Sequence, residues 1–107
     1  MKNEYIREAE TFEVTFTDTD LTAQTVMITI SNETGILEQH TANYVTQDDK
    51  RVATLSFIPD LEVGEYEYMY TVTYTDSVEK FPDVAKCKGK CDLPKFVVCE
   101  ANDITST

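Results

Sequence analysis

Apolar and polar side chains alternate along residues 65–74, the longest patterned segment of the chain. The odd positions carry glutamate, methionine or threonine, and the even ones carry Tyr66, Tyr68, Tyr70, Val72 and Tyr74. Because successive side chains of a β-strand point to opposite faces, this period of two predicts a strand with one face on a core and one in water. Tyrosine suits the inner face, since its ring can be buried while its hydroxyl reaches the rim of the core.

The same alternation recurs along the chain, and no long window has helical spacing. Turn-forming residues separate the patterned segments at 32–35 (NETG), 47–50 (QDDK) and 75–78 (TDSV). We predict an all-β fold, an antiparallel β-sandwich of about seven to eight strands. The predicted strands are TFEVTFT (11–17), TVMITIS (25–31), the extended pieces ILEQH and TANYVT, RVATLSFI (51–58), the tyrosine segment, VEKF (78–81) and KFVVCE (95–100).

Length and charge limit the possible classes of protein. The chain has 107 residues, the length of one ordinary domain, and its hydrophobic content of 41% is too high for a disordered chain. We expect one domain at residues 1–100 and a flexible C-terminal tail at 101–107. The net charge of −11 repels phosphates and anionic lipids, so we expect neither nucleic acid nor a membrane as partner.

Basic residues cluster near the C-terminus of this acidic chain. One interpretation is that the acidity serves only solubility. The other is that the lysine-rich end is a protein interface that docks on an acidic neighbour, such as another copy of the chain. The lysines of this candidate interface are Lys80, Lys86, Lys88, Lys90 and Lys95.

Three cysteines carry the most distinctive chemistry in the sequence. Cys87 and Cys91 could form a disulfide that closes a small loop in an oxidising medium, although such bonds are rare in the cytosol. With Cys99 and either His40 or Asp92 they could instead bind zinc. The third alternative is free thiols, with Cys99 buried in the core.

No residues form a recognisable catalytic motif, so we predict no enzyme, no catalytic residue, no cofactor and no metal site. His40 is the single histidine and is expected to be structural or exposed, because a general base needs a partner within hydrogen-bond reach. The acidic pairs Asp18/Asp20 and Asp48/Asp49 are expected to be solvated turns, since calcium sites need six to eight oxygen ligands.

Tyr66 follows the sequence LEVGE at the entrance to its strand. This resembles the tyrosine corner of immunoglobulin-like sandwiches, in which the hydroxyl bonds a backbone group a few residues upstream. The order ETFEVTFTD, TVMITI, VATLSF and LEVGEYEY is similar to small immunoglobulin-like domains, in particular those of tailed bacteriophages, including capsid decoration proteins and the N-terminal domains of baseplate upper proteins.

The resemblance implies a non-enzymatic structural protein of the virion, made in the host cytoplasm without a signal peptide. Its partners would be other capsid or tail proteins, or further copies of itself. Two other functions stay open. One is a ligand-binding or adhesion module for a glycan or host surface, with Tyr5 and Tyr44 exposed to stack on sugar rings. The other is a small zinc or redox protein that uses the three cysteines.

Overall fold

The computed structural model of the chain describes residues 3–81 and 93–100. This part is all β, as predicted, and it contains no helix long and apolar enough to cross a membrane. Its strands are β1 (Glu4–Arg7), β2 (Phe12–Asp18), β3 (Ala23–Asn32), β4 (Gly35–Asn43), β5 (Val45–Gln47), β6 (Lys50–Phe57), β7 (Gly64–Tyr74), β8 (Val78–Phe81) and β9 (Lys95–Cys99).

The strands form two sheets that enclose the core as a sandwich. The large sheet has the order β1-β9-β7-β3-β4, with β8 also paired to β7, and the small sheet has the order β2-β6-β5. Strands β2, β6 and β5 correspond to B, E and D of the immunoglobulin fold, and β9, β7, β3 and β4 to G, F, C and C′. The predicted immunoglobulin-like sandwich is therefore confirmed.

Two details of the prediction are wrong. The described residues form nine strands rather than about seven to eight, because Glu4–Arg7 is a strand that the sequence pattern did not predict. The sandwich is also not purely antiparallel, since β1 pairs with β9 in parallel. Four residues with a single buried side chain, Ile6, carry too little periodicity to reveal β1 from sequence.

The core consists of inward side chains from both sheets, and the predicted inner faces supply most of it. Phe12 of the small sheet packs against Phe57, with ring centroids 5.4 Å apart, and against Phe96 of the large sheet at 5.1 Å. The buried hydrophobic residues are Ile6, Phe12, Ala23, Val26, Ile28, Ile30, Tyr44, Ala53, Leu55, Phe57, Tyr68, Tyr70, Val72, Phe96 and Val98.

The predicted turns have the backbone geometry that their residues favour. Gly35 has a φ of 135° in the β3–β4 turn, a conformation that other residues rarely adopt. Asp48 and Asp49 have φ of 53° and 63° between β5 and β6, as in a two-residue type I′ hairpin.

Strands β8 and β9 lie end to end along the same edge of β7, like two parts of one interrupted strand. Tyr70 pairs with Phe81 and Glu67 pairs with Lys95. The step from Glu67 to Tyr70 covers three residues of β7, whereas the step between their partners, Phe81 and Lys95, covers fourteen residues of the same chain. This interruption leaves β7 with different neighbours beside its two halves.

Candidate functional site: an aromatic cleft at one end of the sandwich

A cleft of about 320 Å³ opens between the end of β2 and the second half of β7. Both sheets contribute to its walls, and Tyr44, where the chain crosses between them, contributes as well. Its lining residues are Phe16, Thr17, Asp18, Tyr44, Tyr70, Val72, Tyr74 and Phe81.

Strand periodicity brings these side chains together. Phe16 and Asp18 alternate on β2, and Tyr70 and Tyr74 lie on the inner face of β7. Phe81 is directly opposite Tyr70 in the β7–β8 pairing, so both side chains are on the same face of the sheet. The wall of the cleft is therefore part of the same inner face of the large sheet that forms the core.

Aromatic rings dominate the wall. Phe16 and Tyr70 meet edge to face, with ring centroids 4.8 Å apart, so the two sheets are in contact there. Phe81 is 41% exposed, a high value for a phenylalanine next to the core. It forms an apolar lip that neighbouring described residues leave open.

Asp18 is the acidic group of the cleft. Its Oδ2 accepts a hydrogen bond from the Tyr74 hydroxyl at 2.6 Å, and its Oδ1 accepts the backbone N–H of Asp20 at 2.9 Å. It is half-buried rather than a solvated turn residue, so the prediction for Asp18 is wrong. The prediction failed because the tertiary fold places the carboxylate between β2 and β7.

Tyr70 carries a buried hydroxyl that has no hydrogen-bond partner among the described residues. The residue is only 6% exposed, and leaving such a hydroxyl unpaired costs about 1–3 kcal/mol. An unsatisfied buried group of this kind marks either strain or a missing partner. Burial also raises the pKa of Tyr70, which keeps its hydroxyl neutral at physiological pH.

The remaining hydroxyls of the cleft are neutral as well. Burial first, and then the hydrogen bond to Asp18, raise the pKa of Tyr74. Burial, followed by the charge of Asp18, raises the pKa of Tyr44. The tyrosine hydroxyls therefore add no charge to the wall at neutral pH.

A second cavity, of about 400 Å³, lies at the opposite end of β7. Tyr66 and Lys95 line it together with Asn32, and the other lining residues are Glu33, Gly64, Glu65 and Glu67. The Tyr66 hydroxyl donates to the backbone carbonyl of Glu62 at 2.7 Å, the contact that defines a tyrosine corner. The Tyr66 hydroxyl at this end therefore has a structural hydrogen bond, whereas the Tyr70 hydroxyl has none within the described part of the chain.

The structure places two of the five candidate interface lysines. Lys80 pairs with Thr71 and Lys95 with Glu67, so both are on the outer face of the large sheet along the same edge. Both are exposed. Lys86, Lys88 and Lys90 lie outside the described residues.

The cysteine predictions are tested only at Cys99. It is a free thiol, as in the third alternative, but it is half-buried on the outer face of β9 opposite Arg7 rather than buried in the core. Cys87, Cys91 and Asp92 lie outside the described residues, as does the predicted tail at 101–107. Within residues 3–81 and 93–100, no group of three or more histidine, cysteine or acidic side chains could hold a metal ion.

His40 is on the inner side of β4, at the flank of the core. Its Nε2 lies 2.7 Å from Glu38 Oε1, and its ring stacks on Phe57 with centroids 3.9 Å apart. Glu38 Oε2 in turn accepts the backbone N–H of Asp60 at 2.7 Å. These contacts tie β4 to the loop after β6, which is a structural arrangement.

The prediction that Tyr5 and Tyr44 are both exposed is wrong for Tyr44. Tyr5 is 67% exposed on β1, but Tyr44 is only 6% exposed. Tyr44 is buried because it is the residue at which the chain crosses between the sheets, and its backbone N–H donates to Gln24 O at 2.9 Å. Sequence analysis missed the cleft for a related reason: period two identifies the inner face of β7 but not which part of that face is left uncovered.

Comparison with known proteins supports the fold and leaves the function open. No protein-family model and no curated protein matches the chain. Among solved structures, the crystal structure of a "putative glycoside hydrolase" from Bacteroides vulgatus ATCC 8482 is similar, with a TM-score of 0.50 and 15% sequence identity. The similarity covers 92% of this chain and only 17% of that one. At this identity the likeness concerns the β-sandwich fold alone.

Proposed function

We propose that this protein is a structural component of a tailed phage particle that docks on a capsid or tail surface through protein–protein contacts. The docking surface is the side of the sandwich that contains the aromatic cleft. The observation that carries the proposal is an apolar, aromatic opening on an otherwise strongly acidic protein, because exposed apolar patches of this kind are typical of interaction sites.

The edges of the cleft also favour docking. Among the described residues, β2 pairs only with β6, and β8 pairs only with β7. Each of these strands therefore presents unpaired backbone groups beside the cleft, which a partner can use for additional hydrogen bonds. Val78 and Phe81 of β8 are both exposed, which adds apolar area at the same edge.

The resemblance of the strand segments to small phage sandwich domains supports a virion partner. Lys80 and Lys95 add positive charge on the outer face of the large sheet, on β8 and on β9, and suit an acidic region of such a partner.

The first test is the composition of purified particles of the phage that encodes this chain. We expect mass spectrometry to detect the protein in particles purified on a density gradient. Absence of the protein from such particles would contradict the virion assignment.

The second test measures binding of the purified, labelled protein to particles that lack it. Phe81→Ser should weaken binding at least tenfold, because it removes the apolar lip of the cleft. Val63→Ser is the matched control, since Val63 is 46% exposed and is not part of the cleft wall. Equal binding by the two variants would exclude the cleft as the docking surface.

Glycan binding is the second candidate function, and the aromatic wall is the observation that favours it. Sugar rings stack on aromatic faces, and the Asp18 carboxylate could accept hydrogen bonds from sugar hydroxyls. A glycan-array screen distinguishes the two functions. Saturable binding of one glycan that is lost in Tyr74→Ala would favour this function over protein docking.

A further inference from the structure

We propose that the cleft receives a cationic side chain, an arginine or a lysine, of the docked protein. This inference rests on the proposed function, because it specifies the chemistry of the partner at the same site. Three features of the cleft carry it. Among the described residues, the acidic group Asp18 has no cationic partner and the buried hydroxyl of Tyr70 has no hydrogen-bond partner, and aromatic faces surround the acidic group.

Asp18 provides an unneutralised negative charge. In the β2–β6 pairing its direct neighbour is Arg51, the nearest candidate for a salt bridge. Arg51 instead donates from Nε to Ala23 O at 2.9 Å and from a terminal guanidinium nitrogen to Thr46 at 3.0 Å. Asp18 makes no ion pair with any lysine or arginine in the described part of the chain. A half-buried carboxylate in this state attracts an external cation.

The aromatic wall is suited to the same kind of ligand. A cation within about 6 Å of a ring face is attracted by the quadrupole of the ring, and the attraction grows when water is excluded. Phe16, Tyr70 and Phe81 border the cleft, and the first two are held in place by their edge-to-face contact. The cleft volume of about 320 Å³ is ample for a guanidinium group and its aliphatic stem.

The hydroxyl groups of the cleft also suit a cationic side chain, because they can accept hydrogen bonds from it. The Tyr74 hydroxyl uses its proton on Asp18 and retains its own acceptor capacity. Tyr70 is part of the same wall, and its buried hydroxyl is unpaired among the described residues. A guanidinium group has five N–H donors, so it can serve several such oxygens at once. The exposed carboxylate of Glu79, which contributes to the raised pKa of Tyr74, adds further negative charge at the rim.

The test uses the full chain and two small probes that differ in charge. N-acetyl-arginine amide is titrated into the labelled protein while the aromatic ring signals are followed by NMR, and N-acetyl-citrulline amide serves as its neutral isostere. We expect saturable shifts of the Phe16, Tyr70, Tyr74 and Phe81 rings with arginine. Citrulline should bind at least tenfold more weakly. Equal binding of the two probes, or no shift in these rings, overturns the inference.

Matched variants identify the group that recognises the cation. Asp18→Asn should weaken arginine binding at least tenfold, whereas Asp48→Asn removes the same charge from the exposed β5–β6 turn and should leave binding unchanged. Phe81→Leu keeps an apolar lip but removes the ring, and from the strength of cation–π contacts it should weaken binding about threefold or more. Circular dichroism establishes that each variant is folded. If neither Asp18→Asn nor Phe81→Leu changes the affinity, the inference is wrong.

Particle binding separates this inference from the proposed function. If the protein still binds its particles in a manner that depends on Phe81 while arginine does not bind, only the cationic occupant is excluded. If it does not bind the particles but does bind arginine, the cleft recognises cations and the virion proposal is excluded.

Discussion

The two halves of β7 carry the same alternation of tyrosines but differ in what covers them. Beside residues 64–67 lies β9, which is itself covered by β1. Tyr68, next to this half, is 1% exposed, and its ring packs on the fully buried Phe96 with centroids 6.2 Å apart. Beside residues 70–73 lies β8, whose four residues are all exposed. In this second half, the inner face of β7 borders the aromatic cleft.

Hydroxyl pairing differs in the same way. At the covered end, Tyr66 bonds the carbonyl of Glu62, while at the open end the hydroxyl of Tyr70 has no partner among the described residues. One sequence pattern therefore supplies buried core residues along β7 but lines the candidate binding site only at the open end. The difference shows that the neighbouring strands, and not the pattern itself, decide which role a tyrosine takes.

The largest expected effect tests the covered half. Tyr68→Ala should lower the free energy of unfolding by about 3–5 kcal/mol, because it leaves a cavity among fully buried neighbours. Tyr74→Ala, at the open and half-buried end, should cost clearly less. Denaturant unfolding measures both, and equal losses would remove the distinction between the two halves.

The next largest effect is a gain rather than a loss of stability, and it tests the open half of β7. Tyr70→Phe should raise the free energy of unfolding by about 1 kcal/mol, because it removes a buried hydroxyl that has no partner among residues 3–81 and 93–100. Urea midpoints at constant m-value provide the measurement. A loss of stability would indicate that the hydroxyl does have a hydrogen-bond partner in solution.

A smaller loss is expected at the covered end. Tyr66→Phe should lower the free energy of unfolding by about 0.5–1 kcal/mol, since it deletes the exposed hydrogen bond to Glu62. The same midpoint measurement applies, with Tyr5→Phe as the control because the Tyr5 side chain is largely exposed. An unchanged midpoint for Tyr66→Phe would exclude a stabilising corner.

The smallest effect is absent at neutral pH and develops only in alkali. Burial raises the pKa of Tyr70 above its ordinary 10.0 and the pKa of Tyr68 to about 12. Unfolded tyrosines therefore lose protons first, so the stabilisation is complete below about pH 10 and is lost as the pH rises through the folded-state pKa values. Tyr70→Phe should make this decline shallower than in the wild type. Unfolding curves between pH 8 and pH 11, within the range set by these pKa values, provide the test.

The alternation of apolar and polar residues was sufficient to predict most of the strands, because burial of one face of a strand imposes a period of two. Val26, Ile28 and Ile30 show this at β3, and Ala53, Leu55 and Phe57 show it at β6, since all six alternate with polar or less buried neighbours and are themselves buried. Turn chemistry was equally local: Gly35 takes the positive φ that its turn requires. These features depend on neighbouring residues in the chain and can be read from it directly.

Long-range pairing decided everything that concerns the candidate site. The parallel pairing of β1 with β9, the crossing at Tyr44 and the placement of Asp18 beside Tyr74 join residues that are far apart in sequence. The sequence by itself determined which side chains face inward. Only the tertiary structure decided which of them would be covered, because coverage depends on where the neighbouring strands end.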